Sequence, residues 1–459
     1  MKPKTFALAT AGAVVAATLG YAVYFDHKRR NDPEVRKQMK RERKKVKKAA
    51  KAAEDEAKQG KLKLIDYVLD AVAKETLPAT AEEKEKYFMT QVAAGEQLCN
   101  AGEAYYNDAV LPFFKALKVY PAPLELIMIY QKTVPEPVFQ TVVQLMALEQ
   151  NKRQAKFYEE FPPKETHVRL GELPAGETPE HKPIVRRGLV ANEDLKDGQT
   201  IYTETPLVSG LHPALEGEYC NYCLRKVPED KVTCSNCDKV AFCSAECEKV
   251  ATENYHRYLC TNNKPQEGEA DVSNKELAFF EYTKENNVKY SSMIAKFLST
   301  MVAEEMERTR NGQSSDSTFN SWDHIDRFRY LDTSATENTK REIEMLKEML
   351  GTKVQGINEF LTDEIYLMLK GKMLFNAYGV NIGEDVVVSE SSEHMRKTSN
   401  DKKPVGAALY KISTYIGQSE AEPNVKVVFG DNHDISVVAL KDISKDTELL
   451  ASYSLPVPV

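Results

Sequence analysis

Residues 220–260 read CNYCLRKVPEDKVTCSNCDKVAFCSAECEKVATENYHRYLC, and seven of the chain's eight cysteines fall inside this stretch. They come as Cys220-x2-Cys223, Cys234-x2-Cys237 and Cys243-x3-Cys247, followed by His256-x3-Cys260. Four such pairs supply eight ligands, the number that two tetrahedral zinc ions require, and each pair can grip one face of a metal. With every coordination position filled by protein, such a metal is structural and leaves no open position for hydrolysis. Zinc would contribute on the order of 10 kcal/mol per site to the folding of so small a module. The competing reading is a disulfide framework. An odd number of cysteines, a histidine within the set and a cytosol-facing position all weigh against it. Cys99, outside the cluster, reads as a buried helical residue.

On both sides of this finger the pattern changes to short strands. Upstream, PIVRRGLVANEDLKDGQTIYTETPLV (183–208) alternates around an Asp197-Gly198 turn, and downstream VKVVFGDNHDISVVALKDISKDTELLASY (425–453) does the same. Between them lies a mainly helical insert, 274–370, with a polar loop near 309–320. A split β unit interrupted by a finger and a helical insert resembles a SET domain of the SET-MYND lysine methyltransferase family, over residues 166–459. The fragments LFNAYGVNI (374–382), PVGAALYKIS (404–413) and ELLASY (448–453) carry the likeness. The resemblance to a MYND finger implies interleaved ligands. One zinc would take Cys220, Cys223, Cys243 and Cys247, the other Cys234, Cys237, His256 and Cys260.

Methyl transfer in that family requires a glycine-rich GxG turn at S-adenosylmethionine, an Asn-His-Ser-Cys motif and a tyrosine near the transferred methyl. This chain has Arg186-Arg187-Gly188 at the turn, and the arginine in place of the first glycine would crowd the cofactor. Before Pro423-Asn424 it has Gly417-Gln418-Ser419-Glu420 instead of Asn-His-Ser-Cys. Gly188, Asn376 and Tyr453 are what remains of a cofactor site, and Tyr453 also reads as a strand tyrosine packed under the sheet. The sequence ends at Val459, six residues past Tyr453, without a cysteine-rich post-SET zinc site. The expectation is therefore an inactive SET fold serving as an interaction surface, with no catalytic residue and no S-adenosylmethionine. The alternative is a membrane-anchored lysine methyltransferase using that cofactor.

Residues 61–150 read as helical almost throughout. Leu62, Leu64, Ile65, Val68, Leu69 and Val72 recur at helical spacing, and Leu77-Pro78 ends the run. A second helix from Ala81 carries Phe88, Met89, Val92, Gly95 and Leu98 and closes at Asn100-Ala101-Gly102. Tyr106, Ala109, Phe113, Ala116 and Val119 mark a third, stopped by Tyr120-Pro121. With two extra residues in the turn, these two helices fit one tetratricopeptide hairpin. One repeat cannot bury its own faces, so helices near 62–76, 124–132 and 136–148 should complete the bundle.

The order of YAVYFDHKRRNDPEVRK (21–37), a charged run, GEQLCNAGEAYYNDAVLPFFKALKVYPAP (95–123) and IYQKTVPEPVFQ (129–140) resembles the fungal form of the small presequence receptor subunit of the mitochondrial outer-membrane translocase. The likeness covers residues 1–150. It implies a cytosol-facing groove for mitochondrial presequences, lined by Phe88, Met89, Val92, Ile129, Tyr130 and Thr133 with Glu96 at the rim. It also implies precursor proteins and other subunits of that translocase as partners. A presequence is an amphipathic helix with a basic and an apolar face, so a shallow apolar groove with an acidic rim suits it. Periodicity alone reads Phe88, Met89, Val92 and Ile129 as plain core.

Upstream, about twenty apolar or small residues, Phe6 to Phe25, have the length of a single membrane-crossing helix. Thirteen Lys and Arg then accumulate between Lys28 and Lys51, which favours a cytosolic location for the remainder of the chain. A cleavable signal peptide is the competing reading of the apolar run. The net charge of −7, despite that basic run, leaves an acidic remainder that argues against nucleic acid as a partner. The expected architecture is α+β and multidomain. It comprises a transmembrane helix (1–27), a basic charged helical linker (28–60), an all-α TPR-like receptor domain (61–150), a linker (151–165) and a SET-like domain (166–459) holding the two-zinc finger at 220–260 and the insert. Its expected location is the mitochondrial outer membrane, single-pass, with the bulk in the cytosol. A joining of two neighbouring genes is the third alternative, and Pro162-Pro163 in the linker leaves it open.

Overall fold

A computed structural model describes residues 59–454 except 76, 79–80, 121–122, 178–180, 263–273, 312–318, 355, 383–385, 389–392 and 399–401, together with Lys37, Lys44 and Lys48. The expected membrane span and most of the basic linker lie outside the described residues, as does most of the polar loop near 309–320. Among the described residues no helix is long and apolar enough to cross a membrane. The chain divides into two compact units, Met1–Ala147 and Leu148–Val459.

The first unit is helical. Residues 59–73 form one helix, followed by Ala81–Asn100, Tyr106–Val119, Pro123–Thr133 and the start of Glu136–Glu160. Gly102, at φ +113°, makes the turn between the second and third, a conformation that an L side chain rarely adopts. Gly95 sets how closely those two helices approach, since a Cβ there would stand 2.8 Å from the Phe113 ring. Ile65, Val68, Phe113, Phe114, Leu117, Leu126, Val138, Val142 and Leu145 are buried. The helices either side of the hairpin thus supply the apolar faces that a lone repeat lacks.

The second unit is built on a five-stranded sheet in the order β3-β11-β10-β12-β9, with β3 at Thr200–Glu204, β9 at Gly417–Gln418, β10 at Val425–Phe429, β11 at Ile435–Ala439 and β12 at Leu450–Ala451. β10 and β11 pair antiparallel from Val425↔Ala439 to Phe429↔Ile435, around the Asp431-Asn432 turn. β12 is inserted between β10 and β9 and runs parallel to both. The Asn424 side chain clasps it there, donating to the Glu448 carbonyl (2.8 Å) and accepting from the Leu450 amide (2.7 Å). A three-stranded sheet orders β4 (Val208–Leu211), β8 (Gly406–Leu409) and β7 (Tyr378–Val380), and a hairpin joins β1 (Val168–Glu177) to β2 (Pro183–Ala191). The Asp197-Gly198 turn is present, with Gly198 at φ +74°.

Two boundaries differ from the sequence reading. Residues 151–160, expected as linker, continue the Glu136–Glu160 helix, and Phe157 is 0% exposed in the core of the second unit. Its ring meets those of Phe161 (5.0 Å), Phe319 (5.0 Å) and His324 (5.2 Å), while Arg153 grips Asp323 through Nη2–Oδ2 at 2.5 Å and Nε–Oδ1 at 2.9 Å. The polar run before Phe157 hides this apolar anchor. The helical insert also runs further than 370: its helices are Lys275–Glu285, Lys289–Arg310, Ser321–Asp326, Glu337–Leu350, the short Ile357–Phe360 and Asp363–Asn376. Asn376 thus ends a helix, directly before β7.

Candidate functional sites

The finger is held by β5 (Val232–Thr233), β6 (Ala241–Phe242) and the helix Ala245–Ala251. Ser244 caps that helix by accepting the Cys247 amide, which points Cys247 back toward Cys243. The structure brings together Cys220, Cys223, Cys243 and Cys247 in one group and Cys234, Cys237, His256 and Cys260 in another, all ligand atoms of each within 4.8 Å. Sulfur separations are 3.5 Å for Cys223–Cys243, 3.6 Å for Cys243–Cys247 and 3.8 Å for Cys234–Cys260, and Cys237 Sγ is 3.6 Å from His256 Nε2. Thiolates sharing a tetrahedral zinc lie about 3.8 Å apart, so both groups fit a metal ion. Hydrogen bonds from neighbouring thiols favour the thiolate at Cys220, held down to about 5, and at Cys237, held down to about 3. Lys296, buried beneath the finger, donates to the Asn221 carbonyl (2.7 Å) and adds a positive charge beside the first group.

On the helical unit, Met89 (62% exposed) and Ile129 (49% exposed) present apolar side chains to solvent, with Phe88 and Val92 half-buried between core and surface. Glu96 and Thr133 are exposed, Thr133 donating to the Ile129 carbonyl (2.9 Å). Tyr130 is different. It is buried, with its hydroxyl on the Phe113 carbonyl (3.3 Å) and its ring edge-on to Phe113 at 5.0 Å, so it belongs to the core of the bundle. Met128, 57% exposed beside Ile129, is an apolar side chain that the sequence reading missed.

At the third site Arg396 joins Asn376 to Tyr453, and Gly188 lies beside Arg186 and Glu448, two charges that act on Tyr453. Tyr453, buried just past β12, donates to the Ile416 carbonyl (2.8 Å). Asn376 donates to the Arg329 carbonyl (2.6 Å). At Gly188 a Cβ would come within 2.8 Å of Arg186 Nη1, and Arg186 itself pairs with Glu448 at 2.7 Å. Burial pushes the Tyr453 phenol up, while Arg396, Arg329 and Arg186 pull it back. Arg396 and Glu448 carry this site as much as the three expected residues do; Glu448 opens the ELLASY fragment, whereas Arg396 stands in no motif.

Comparison with known proteins agrees with both halves of this geometry. The family "SET domain" matches residues 186–454, more than half of the chain, and the family "MAS20 protein import receptor" matches residues 8–159. The mitochondrial import receptor subunit tom20 of Neurospora crassa is 41% identical over 143 residues, covering 31% of this chain and 78% of that protein. The chain belongs to both families. It is a TOM20-like receptor region fused to a SET-MYND-like domain. The Saccharomyces cerevisiae import receptor subunit TOM20 is 37% identical over 143 residues, 31% of this chain and 77% of that protein. The SET-MYND-like half is similar to the protein-lysine N-trimethyltransferase SMYD5 of Danio rerio, 25% identical over 338 residues, 58% of this chain and 77% of that protein.

These matches correct the expectation that the chain is not an enzyme. A SET match spanning the GxG-like turn, Asn376 and Tyr453, together with a trimethyltransferase among the relatives, points to lysine methyltransferase chemistry despite the altered motifs.

Proposed function

We propose that this chain is a mitochondrial import receptor, anchored in the outer membrane by residues 1–27, that binds the amphipathic presequences of precursor proteins. The observation that supports this reading is the exposure of the apolar side chains of Met89, Met128 and Ile129 on the helices Ala81–Asn100 and Pro123–Thr133, with the exposed Glu96 acting on Tyr130. Such a surface can read the apolar face of a targeting helix while its basic face stays near solvent and Glu96. Burial of two or three side chains gives weak and permissive binding. Other translocase subunits are the expected neighbours in the membrane. The test is titration of a fluorescent presequence peptide against the full chain reconstituted in vesicles. Met89→Asp and Ile129→Asp should each weaken binding about tenfold. Unchanged affinity in both would overturn the groove.

The SET match favours a second activity for the other half, transfer of methyl groups to protein lysines, with the finger holding two structural zinc ions. The cofactor that the fold family implies, S-adenosylmethionine, carries a sulfonium cation. Arg396, 2% exposed, already sets a cation 4.7 Å from the Tyr453 ring centroid, with Arg329 and Arg186 nearby. With Arg396 seated on the Tyr453 ring, the arrangement seen here does not accept a second cation such as the cofactor's sulfonium, so no chemical step is derived through it.

A further inference from the structure

Arg396 has the largest fully buried side chain among the described residues, and no carboxylate pairs with it there. Its guanidinium donates to the carbonyls of Phe375 (3.1 Å) and Thr414 (3.1 Å), to Asn376 Oδ1 (3.1 Å) and to the Tyr378 hydroxyl (3.2 Å). Its Cζ lies 4.7 Å from the ring centroid of Tyr453, 5.2 Å from that of Tyr378 and 5.8 Å from that of Phe375. Burying an unpaired cation costs several kcal/mol unless oxygen dipoles and aromatic faces replace its water. All the groups that accept hydrogen bonds from it are neutral, and Arg329 shares the Phe375 ring at 4.9 Å. A π-rich, oxygen-lined cage is the chemistry that accepts alkylammonium groups.

The segment that delivers Arg396 is clipped on two sides. On one side the Arg396 amide donates to the Ala377 carbonyl (2.8 Å) and the Gly379 amide to the Arg396 carbonyl (3.0 Å). On the other, Ser454 Oγ accepts from the Lys397 amide (3.0 Å) and donates to the Met395 carbonyl (3.1 Å). Ser454 comes directly after Tyr453, so the clip and the cage share one piece of chain.

We propose that the cage formed by Tyr378, Tyr453, Phe375, Asn376 and the Thr414 carbonyl is a receiving place for the ammonium end of a protein lysine, and that Arg396 fills it from within as an intramolecular competitor. This rests on reading residues 186–454 as a SET unit that handles lysine. An outside lysine then gains the cage only in the fraction of molecules whose Met395–Lys397 segment has left, and its apparent affinity falls by that fraction. The SET unit is in this way held closed by its own chain.

The test uses the full zinc-loaded chain, with n-butylammonium as a lysine side-chain probe monitored by ligand-detected NMR, and methyl transfer from S-adenosylmethionine to polylysine as a separate readout. Arg396→Ala should bind the probe about tenfold more tightly than wild type. Arg396→Lys, which keeps a cation in the cage, should show no gain. Ser454→Ala, which loosens the clip and leaves the cage lining intact, should fall between wild type and Arg396→Ala, and it decides the matter should Arg396→Ala fail to fold. Gains in this order support the self-occupied cage whether or not methyl groups move. If probe binding rises and no protein transfers methyl groups, only the methyltransferase reading fails. Equal binding by wild type and the folded variants overturns the inference, as does wild-type methyl transfer as fast as that of Arg396→Ala.

Discussion

Replacing Phe157 by alanine tests whether the end of the Glu136–Glu160 helix belongs to the second unit. The side chain is fully buried, meets three aromatic rings at 5.0–5.2 Å and lies under the Arg327 guanidinium, whose Cζ is 4.4 Å from its centroid. Truncating a buried phenylalanine costs about 3–5 kcal/mol through lost burial and the remaining cavity. Each aromatic pair adds about 0.5–1.5 kcal/mol, which favours the upper part of that range. The chain's single tryptophan, Trp322, stands in the Ser321–Asp326 helix beside this cluster, so its fluorescence reports on this unit. With a urea m-value of about 3 kcal/mol/M, the Trp322 midpoint should fall by about 1.3–1.7 M. Lys156→Ala, on the exposed face of the same helix, should leave it unchanged. If Phe157→Ala moves the midpoint by less than about 0.2 M, residues 151–160 are a linker and Phe157 does not anchor the helix to this unit.

Three further outcomes rest on named contacts. Gly95→Ala pushes a methyl group against the Phe113 ring and should cost the helical unit about 1–3 kcal/mol, read as an earlier loss of its ellipticity on heating. His324, packed against Phe157 and Phe161, has its pKa held down to about 3 by burial. A depressed histidine makes the unfolded chain the better proton binder between about pH 3 and 6.5. Stability is therefore fully present above 6.5 and falls as pH drops, by up to about 1.4 kcal/mol per pH unit. His324→Phe should flatten that slope in urea melts at pH 5 and 7. Cys237→Ser removes one ligand from the second metal group, and the purified protein should lose about one equivalent of zinc by colorimetric assay, whereas Cys99→Ser should lose none.

Much of this architecture was legible because its signals are local. Metal-ligand pairs a few residues apart announce themselves, and Cys220 through Cys260 assemble in the interleaved order that the MYND resemblance implies. Asn100-Ala101-Gly102 and Asp197-Gly198 mark turns for the same reason. What stayed hidden depends on distant partners. β1 was missed because Gly171, Pro174 and Gly176 break its alternation, and only its pairing with β2 makes it a strand. Arg396 sits in a polar run, SSEHMRKTSNDKK (391–403), with nothing periodic about it, and its burial comes from Tyr378, Thr414 and Tyr453. Tyr130 and Ile129 are neighbours in sequence, yet one turns into the bundle and the other out of it, a distinction that depends on where Phe113 lies.

The position of β12 sets an order of events during synthesis. Leu450–Ala451 pairs with β9 and β10 at once, the Leu449 amide donates to the Leu189 carbonyl, and the Ala191 amide donates to the Thr447 carbonyl. The five-stranded sheet is thus closed only once residues 447–451 have been made, whereas the helices of the first unit, made of near-neighbour contacts, fold as soon as they emerge. A nascent chain therefore completes its helical unit while its SET half is still open. Chaperone demand should therefore persist until residues 447–451 are made, and a chain stopped before Thr447 would carry a folded helical unit trailing an unclosed sheet.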